Sequence, residues 1–120
     1  MLTHSHYMWS HEPCFYGWRE GSPPTLKPPA NERTVWQVDQ VGESDGIHPT
    51  QKPVELFARP IAYHTQPGEI CFDPFLGSGS ALIAAEAADR RCYALEIEPR
   101  YAQVAIERWQ AFTGREAVLT

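Results

Sequence analysis

Basic residues are scarce in this chain, which limits what it can bind by itself. Ten Lys and Arg residues stand against fifteen Asp and Glu residues, giving a formal net charge of −5 over 120 residues. Only Arg90 and Arg91 are adjacent, just before an apolar run, where a solvated turn is expected. Proteins that bind nucleic acid alone usually carry a basic patch, because phosphate contacts supply most of their affinity. The composition therefore argues against a free-standing nucleic-acid-binding protein.

Cysteines and long apolar segments are scarce as well. The three Cys residues are odd in number and form no C-x-x-C pair, so they indicate no disulfide framework and are typical of a reducing cytoplasm. No apolar run approaches the length of a membrane span, and residues 1–6 lack the basic start and apolar centre of a signal peptide. We therefore expect a cytoplasmic protein without membrane contacts. Zinc-ligand residue types occur near the N-terminus, but their spacing matches no familiar metal site, so none is predicted.

A glycine-rich turn between apolar segments is the most informative feature that is present. Residues 70–73 predict a buried strand, residues 73–80 have the sequence D-P-F-L-G-S-G-S, and the alanine-rich residues 78–88 predict a helix. A second apolar run, residues 91–96, ends at Glu96. This order of strand, turn, helix and strand is typical of a site for a ribose-bearing cofactor, in which the final acid accepts hydrogen bonds from the sugar.

The charges of this turn favour a cationic cofactor. Asp73 and Glu96 end two neighbouring strands, where paired carboxylates would repel a pyrophosphate. Leu82 also replaces the third glycine of a dinucleotide site, which argues against NAD. S-adenosylmethionine carries an ammonium and a sulfonium and fits this site. Two alternatives stay open: Asp73 as a cap of the following turn, and Gly77 with Gly79 as a simple strand-to-helix turn.

Several motifs together resemble those of the amino-group DNA methyltransferases, in the circularly ordered, phage-like class whose cofactor half follows the catalytic half. Residues 73–80 are similar to the family's D-P-F-x-G-S-G-[ST] loop. Residues 48–53, H-P-T-Q-K-P, resemble the segment that precedes that loop, and residues 96–101, E-I-E-P-R-Y, resemble the acid-ended strand that follows it. Residues 11–18, H-E-P-C-F-Y-G-W, are similar to a strand of phage-type members. The resemblance thus extends from about residue 11 to the end.

The resemblance implies an α/β fold: a partial Rossmann-like, S-adenosylmethionine-dependent methyltransferase sheet with flanking helices. Residues 1–120 would form one domain, the C-terminal cofactor-binding portion, with a loose N-terminus over residues 1–12 and a Pro-rich loop over residues 21–31. The implied reaction is methyl transfer from S-adenosyl-L-methionine to the exocyclic amino group of adenine or cytosine in double-stranded DNA, as in restriction–modification. The implied cofactor-binding residues are Thr50, Lys52, Asp73, Phe75, Gly77, Ser78, Gly79, Glu96 and Ile97.

Individual roles follow from the same resemblance. Asp73 would meet the methionine end of the cofactor, and Ile97 would pack on its adenine. Thr50 and Lys52 would close on the methionine carboxylate, and a lysine at a helix start is otherwise unexpected because it opposes the helix dipole. Phe75 would line the methyl-donor pocket, with a place in the core as the open alternative.

The family's catalytic motif, [DNS]-P-P-[YFW], has no full counterpart here. Residues 22–25 read S-P-P-T, in which Thr25 offers no aromatic ring to stack on a base, and they lie after the Tyr16 segment rather than before it. No catalytic residue is therefore assigned, and we expect a truncated chain whose activity alone is doubtful. The alternatives are a non-catalytic cofactor-binding remnant or one half of a split enzyme that acts with an N-terminal half as partner chain. A methyltransferase for small molecules or proteins is disfavoured by residues 48–53.

The remaining pattern predicts further strands and helices. Residues 14–18 and 34–38 have the aromatic and β-branched composition of strands and would extend the sheet to four. An apolar stripe at i, i+3 and i+7 from Val54 predicts a helix that begins at Pro53. A last helix is predicted to start at residue 99, to be capped by the preceding acid and to end at a glycine. The apolar stripes comprise Val54, Phe57 and Ile61, with Pro60 as a kink, and Tyr101, Ala105, Trp109 and Phe112.

Overall fold

The computed structural model describes residues 6–39 and 52–120. Their helices and strands follow the order α1, β1, α2, β2, α3, and β1 pairs with β2 in parallel. Helix α2 is the crossover between the two strands, so the α/β fold class predicted from the sequence is confirmed. The bounds are Val54–His64 for α1, Ile70–Asp73 for β1, Ser80–Ala87 for α2, Arg91–Ala94 for β2 and Pro99–Thr113 for α3.

Helix α2 lies at the centre of the described structure. It packs against α1 on one side, α3 on another, and strand β2 beneath it. Its alanines allow this close approach because they project only a methyl group from the helix. Apart from Ala105 of α3, the buried apolar side chains of the described residues all belong to α2, and they are mostly small: Ala81, Ile83, Ala84 and Ala85.

The ends of the flanking helices agree closely with the sequence signals. Helix α1 begins at Val54, one residue later than predicted, and Pro53 precedes it as an extended N-cap residue. Pro60 lies inside the helix. At the start of α3 the Glu98 carboxylate accepts a hydrogen bond from the Arg100 backbone N–H, as an N-cap does. Hydrogen bonds from Arg100 also lower the pKa of Glu98. Gly114 ends α3 in the left-handed conformation, with φ of 71°.

The carboxyl ends of α1 and α2 are joined by Arg90. Its Nε donates to Thr65 Oγ1 at 2.9 Å and its Nη2 to the Thr65 carbonyl at 2.8 Å, while Nη1 donates to the Ala88 carbonyl. The guanidinium therefore satisfies helix-end carbonyls that would otherwise lack donors. Arg90 therefore has a structural role and not the solvated position expected from the sequence, and Arg91 is the first residue of strand β2.

The N-terminal part of the chain differs from the prediction. Residues 6–39 contain no helix and no strand, so the expected strands at residues 14–18 and 34–38 are wrong, and the described sheet has two strands rather than four. A strand is stable only when a neighbouring strand accepts its backbone hydrogen bonds. The composition of these segments matches a strand, but neither lies on an edge of the β1–β2 pair.

These N-terminal residues instead lie along α1 through side-chain contacts. The rings of Tyr16 and His64 stack with centroids 5.0 Å apart. The His64 Nδ1 also lies 2.9 Å from the Leu26 carbonyl oxygen, and the Arg59 guanidinium sits 5.4 Å from the centre of the Trp36 ring. Ring stacking and contacts of polar side-chain groups, rather than hydrogen bonds between strands, therefore hold this segment against α1.

One face of the sheet is covered and the other is open. On the covered face, burial and the neighbouring Asp73 and Cys71 raise the pKa of the Cys92 thiol to about 11. On the open face four large apolar side chains stay 54% to 64% exposed: Ile70, Phe72, Tyr93 and Leu95. Parallel sheets normally have both faces covered, so this surface lacks half of its usual packing. None of the helices in the described residues is long and apolar enough to cross a membrane.

The close contact between Gly79 and α3 should make the stability of the fold sensitive to substitution at position 79. A Cβ at Gly79 would lie 2.8 Å from Ala105 Cβ, and the Gly79 backbone has a φ of 98°, in the left-handed region. Gly68 is the matched control, because its φ of 88° is similar and nothing lies within 4 Å of an added Cβ. We expect Gly79→Ala to lower the free energy of unfolding by about 1–3 kcal/mol more than Gly68→Ala, as overpacking does. Urea denaturation measures both, and equal losses would contradict this packing.

Candidate functional site

Two turns lie side by side at the carboxyl ends of the parallel strands. Residues 74–79, here named the glycine turn, connect β1 to α2, and residues 95–98, the acidic turn, connect β2 to α3. The Leu76 N–H donates to the Leu95 carbonyl at 2.9 Å, and the Leu95 N–H donates to the Asp73 carbonyl at 3.0 Å. These bonds continue the strand pairing into the turns. Open α/β sheets bind ligands at this end of their strands.

The carboxylate of Glu96 bridges the two turns. Its Oε1 accepts a hydrogen bond from the Gly77 N–H at 2.8 Å, and its Oε2 accepts one from the Glu98 N–H at 2.9 Å. The side chain is half-buried. Since each carboxylate oxygen has two acceptor positions, both can still receive a hydroxyl from a ligand. Glu96 thus has a structural role that the sequence did not indicate, and it keeps the capacity for the predicted one.

Asp73 caps the glycine turn in this structure. Its Oδ1 accepts a hydrogen bond from the Phe75 N–H at 2.9 Å, a bond between a side chain and the backbone two residues later. The capping alternative is therefore what the described contacts show for this residue. Its role as a ligand for the cofactor stays a prediction.

Two large apolar side chains flank the turns and are open to solvent. Phe75 of the glycine turn is 86% exposed, and Ile97 of the acidic turn is 99% exposed. The interpretation of Phe75 as a core aromatic is therefore wrong. Neither side chain contributes to the interior, and both supply apolar surface beside the carboxylates of Asp73 and Glu96.

The glycine turn requires both of its glycines. Gly77 and Gly79 have φ of 61° and 98°, in the left-handed region that other residues adopt at a cost. Gly79 also allows the close approach of Ala105. Ser78 lies between them and is buried, 4% exposed. A simple turn accounts for the backbone angles but not for the helix packing at Gly79.

Lys52 reaches the start of α2 through its backbone and not through its ammonium. Its carbonyl accepts a hydrogen bond from Ser80 Oγ at 2.7 Å. Its Nζ lies 2.8 Å from both carboxylate oxygens of Glu12, a residue of the H-E-P-C-F-Y-G-W segment. The structure therefore brings the Lys52 backbone to the site but pairs its charge elsewhere. Thr50 lies outside the described residues.

Arg108 of α3 contacts the glycine turn and was not identified from the sequence. Its Nη1 lies 3.0 Å from the Ser78 carbonyl oxygen, 3.2 Å from Ser78 Oγ and 3.3 Å from Ser80 Oγ. One signal pointed to it: position 108 follows Ala105 by three residues, so it shares the packing face of α3, where a charged residue is unusual.

The family model and the similar sequences all describe DNA methylases or type II methyltransferases. A family model described as DNA methylase, N6_N4_Mtase, matches residues 6–107. The chain is 33% identical over 103 residues to the type II methyltransferase M.XycI of Xanthomonas campestris pv. cyanopsidis, covering 82% of this chain and 33% of the relative. It is 36% identical over 80 residues to M.Cfr9I of Citrobacter freundii, covering 67% and 26%. The chain thus spans about a quarter to a third of the length of these relatives.

Solved structures show the same likeness. The M1.HpyAVI-SAM complex superposes with a TM-score of 0.60 at 33% identity, over 70% of this chain and 43% of that one. TTHA0409 of Thermus thermophilus, a putative DNA modification methylase complexed with S-adenosyl-L-methionine, gives a TM-score of 0.56 at 33% identity, over 73% and 36%.

The bridge made by Glu96 can be tested without any ligand. Glu96→Gln replaces one carboxylate oxygen by an NH2 group, which cannot accept, so one backbone N–H in the turns loses its partner. Such a loss costs about 1 kcal/mol, and we expect about fivefold faster hydrogen exchange at the amides of Gly77 or Glu98. Glu107→Gln is the control, because Glu107 bonds only to the exposed Gln103 side chain within the described contacts. Unchanged exchange in Glu96→Gln would contradict the bridge.

Proposed function

This chain belongs to the DNA methylase family whose model matches residues 6–107, and we propose that it forms the S-adenosylmethionine-binding portion of an amino-group DNA methyltransferase. The observation that carries the proposal is the pair of adjoining turns that Glu96 holds together at the carboxyl ends of two parallel strands. They combine carboxylates, exposed apolar side chains and tight glycine backbone in one place. This combination suits a cationic cofactor with a ribose and an adenine.

Each part of the site would bind one part of the cofactor. Glu96 would accept hydrogen bonds from the ribose hydroxyls in the acceptor positions that Gly77 and Glu98 leave free. The exposed side chain of Ile97 would pack on the adenine, and that of Phe75 would line the methyl-donor pocket. The carboxylate of Asp73 would attract the cationic methionine end.

The ammonium of Lys52 would have to exchange partners when the cofactor binds. In the structure it is paired with Glu12, and the two side chains are 43% and 69% exposed. Ion pairs as exposed as this contribute little to stability, so exchanging Glu12 for the carboxylate of the methionine end costs little. We propose that Lys52, with Thr50, closes on that carboxylate.

The proposed reaction is methyl transfer to the exocyclic amino nitrogen of adenine or cytosine in double-stranded DNA. When bound, S-adenosylmethionine would supply the methyl group for an in-line displacement by that nitrogen. Residues 1–120 would act as the C-terminal, cofactor-binding portion, which orients the donor. Neither residues 22–25 nor any other segment supplies the motif that grips the acceptor base, so the base-binding half is proposed to lie elsewhere.

A second candidate is one half of a split enzyme or a cofactor-binding remnant. It is favoured by the open sheet face formed by Ile70, Phe72, Tyr93 and Leu95. Exposed apolar patches of this kind are typical of interaction surfaces. The net charge of −5 also leaves DNA contacts to a partner polypeptide. In this candidate a partner chain supplies the acceptor half and covers the open face.

Cofactor binding gives the first test. We expect calorimetry to detect S-adenosylmethionine binding to the purified chain, and Glu96→Ala to weaken it and S-adenosylhomocysteine binding alike, since both ligands carry the ribose. Charge-assisted hydrogen bonds make the expected loss about 1.5–3 kcal/mol. Glu107→Ala should leave both affinities unchanged, because the described contact of Glu107 is with the exposed Gln103 side chain. Absence of heat and of a thermal shift with millimolar ligand and folded protein would overturn the proposal.

Methyl transfer gives the second test and separates the two candidates. We expect no radiolabelled methyl incorporation into unmethylated DNA by the chain alone, because its sequence contains no full [DNS]-P-P-[YFW] motif to hold the acceptor amino group. If it is a split-enzyme half, an upstream polypeptide bearing D-P-P-Y should restore transfer, and Phe72→Glu should block that restoration by placing a charge on the open face. Val118→Glu, at a residue 80% exposed outside the elements, should not block it. Incorporation by the monomeric chain that Asp73→Ala abolishes would contradict this expectation.

A further inference from the structure

We propose that Arg108 is a positioning residue for cofactor binding: from α3, it holds the glycine turn in place. Its effect on the cofactor rests on the proposed function, whereas its grip on the turn stands on the geometry alone. The residue lies on α3, and it touches the turn from the side where α3 packs against α2. It would act through the turn and not by contact with the cofactor.

Arg108 connects two segments that the proposed site needs. Its Nη1 contacts the carbonyl and the hydroxyl of Ser78 in the glycine turn, and the hydroxyl of Ser80 at the start of α2. The Ser80 hydroxyl in turn donates to the Lys52 carbonyl at 2.7 Å. The hydrogen bonds therefore run from α3 through Ser80 to the backbone of Lys52. One guanidinium thus contacts the glycine turn directly and is linked to Lys52 through Ser80.

The electrostatics explain why this contact is specific. A cation near the first turn of α2 opposes the positive end of the helix dipole, so its presence costs free energy unless oxygen atoms compensate. Ser78 and Ser80, each only 4% exposed, provide those oxygens. Their buried oxygens would in turn lose a strong donor without the guanidinium. The same arrangement gives the guanidinium its acceptor oxygens and gives the serine oxygens their donor, and it therefore favours one position of the turn.

A second contact between α3 and the glycine turn restricts how the turn can move. Ala105 lies one helical turn before Arg108 and meets Gly79 so closely that a Cβ there would be 2.8 Å away. Helix α3 therefore holds the glycine turn at Gly79 by packing and at Ser78 by hydrogen bonds. Loss of the Arg108 hydrogen bonds at Ser78 would let the turn rotate about the packing contact at Gly79 and would move the Gly77 N–H relative to Glu96.

The test compares two arginines of the α3 region in the full chain. Arg108→Met removes the donors and keeps the apolar stem, and Arg115→Met is the matched control, because Arg115 pairs with Glu86 and stacks on Trp109 away from the turn. We expect Arg108→Met to raise the dissociation constant of S-adenosylmethionine about tenfold, equivalent to about 1.4 kcal/mol, and Arg115→Met to leave it unchanged. Arg108→Lys should recover part of the loss, since it restores charge without the planar fork.

A double-mutant cycle shows whether Arg108 acts through Ser80. If it does, Ser80→Ala should weaken binding less in the Arg108→Met background than in the wild type, because the contact is already gone. Strictly additive effects, or an unchanged dissociation constant in Arg108→Met, would overturn the proposal. If Arg108→Met does not fold, Arg108→Lys combined with Ser80→Ala decides by the same criteria.

Hydrogen exchange without ligand separates this inference from the proposed function. We expect faster exchange at residues 77–80 in Arg108→Met than in Arg115→Met, with the amides of β1 unchanged. Failure of the wild-type chain to bind the cofactor, together with this local change, would refute the proposed function and leave the grip on the turn established. Exchange that is equal in the two variants would refute the positioning role whatever the cofactor does.

Discussion

The carboxylate of Glu96 is the interaction on which the rest of the site depends. By accepting from the Gly77 and Glu98 N–H groups, it joins the turn that precedes α2 to the turn that precedes α3. The start of α3 follows directly, because Glu98 is also the N-cap of that helix. A single side chain therefore couples two strand ends and the start of one helix, at the place that we propose for the ribose.

Helix α2 connects these turns to the other elements of the described structure by packing against them. Its small side chains let α1, α3 and β2 all approach it, and the absence of a side chain at Gly79 brings Ala105 within contact. The buried apolar residues among the described positions are nevertheless mostly alanines. Little free energy comes from such a core, since burial stabilises in proportion to apolar area. Hydrogen bonds that the Arg90 and Arg108 guanidinium groups donate and that the Glu96 carboxylate accepts are therefore prominent in holding the elements together.

The open sheet face and the strandless N-terminal segment have a common cause. A strand needs an adjacent strand, and a parallel sheet needs layers on both faces. The chain spans only about a quarter to a third of the length of its curated relatives, and the sheet of its described residues has two strands. Residues 14–18 have the composition of a strand, but composition cannot supply the neighbouring edge. Tyr16 accordingly stacks on α1 instead of entering the sheet.

The sequence by itself determined the order of elements from Pro53 to Gly114, the α/β class and the place of the glycine turn. These follow from local causes: apolar periodicity, caps, and glycines at left-handed positions. Only the tertiary structure decided that Lys52 pairs with Glu12, that Phe75 is exposed, and that Arg108 holds the turn. Such contacts join residues distant along the chain, and local patterns cannot specify them because they depend on how helices pack around α2.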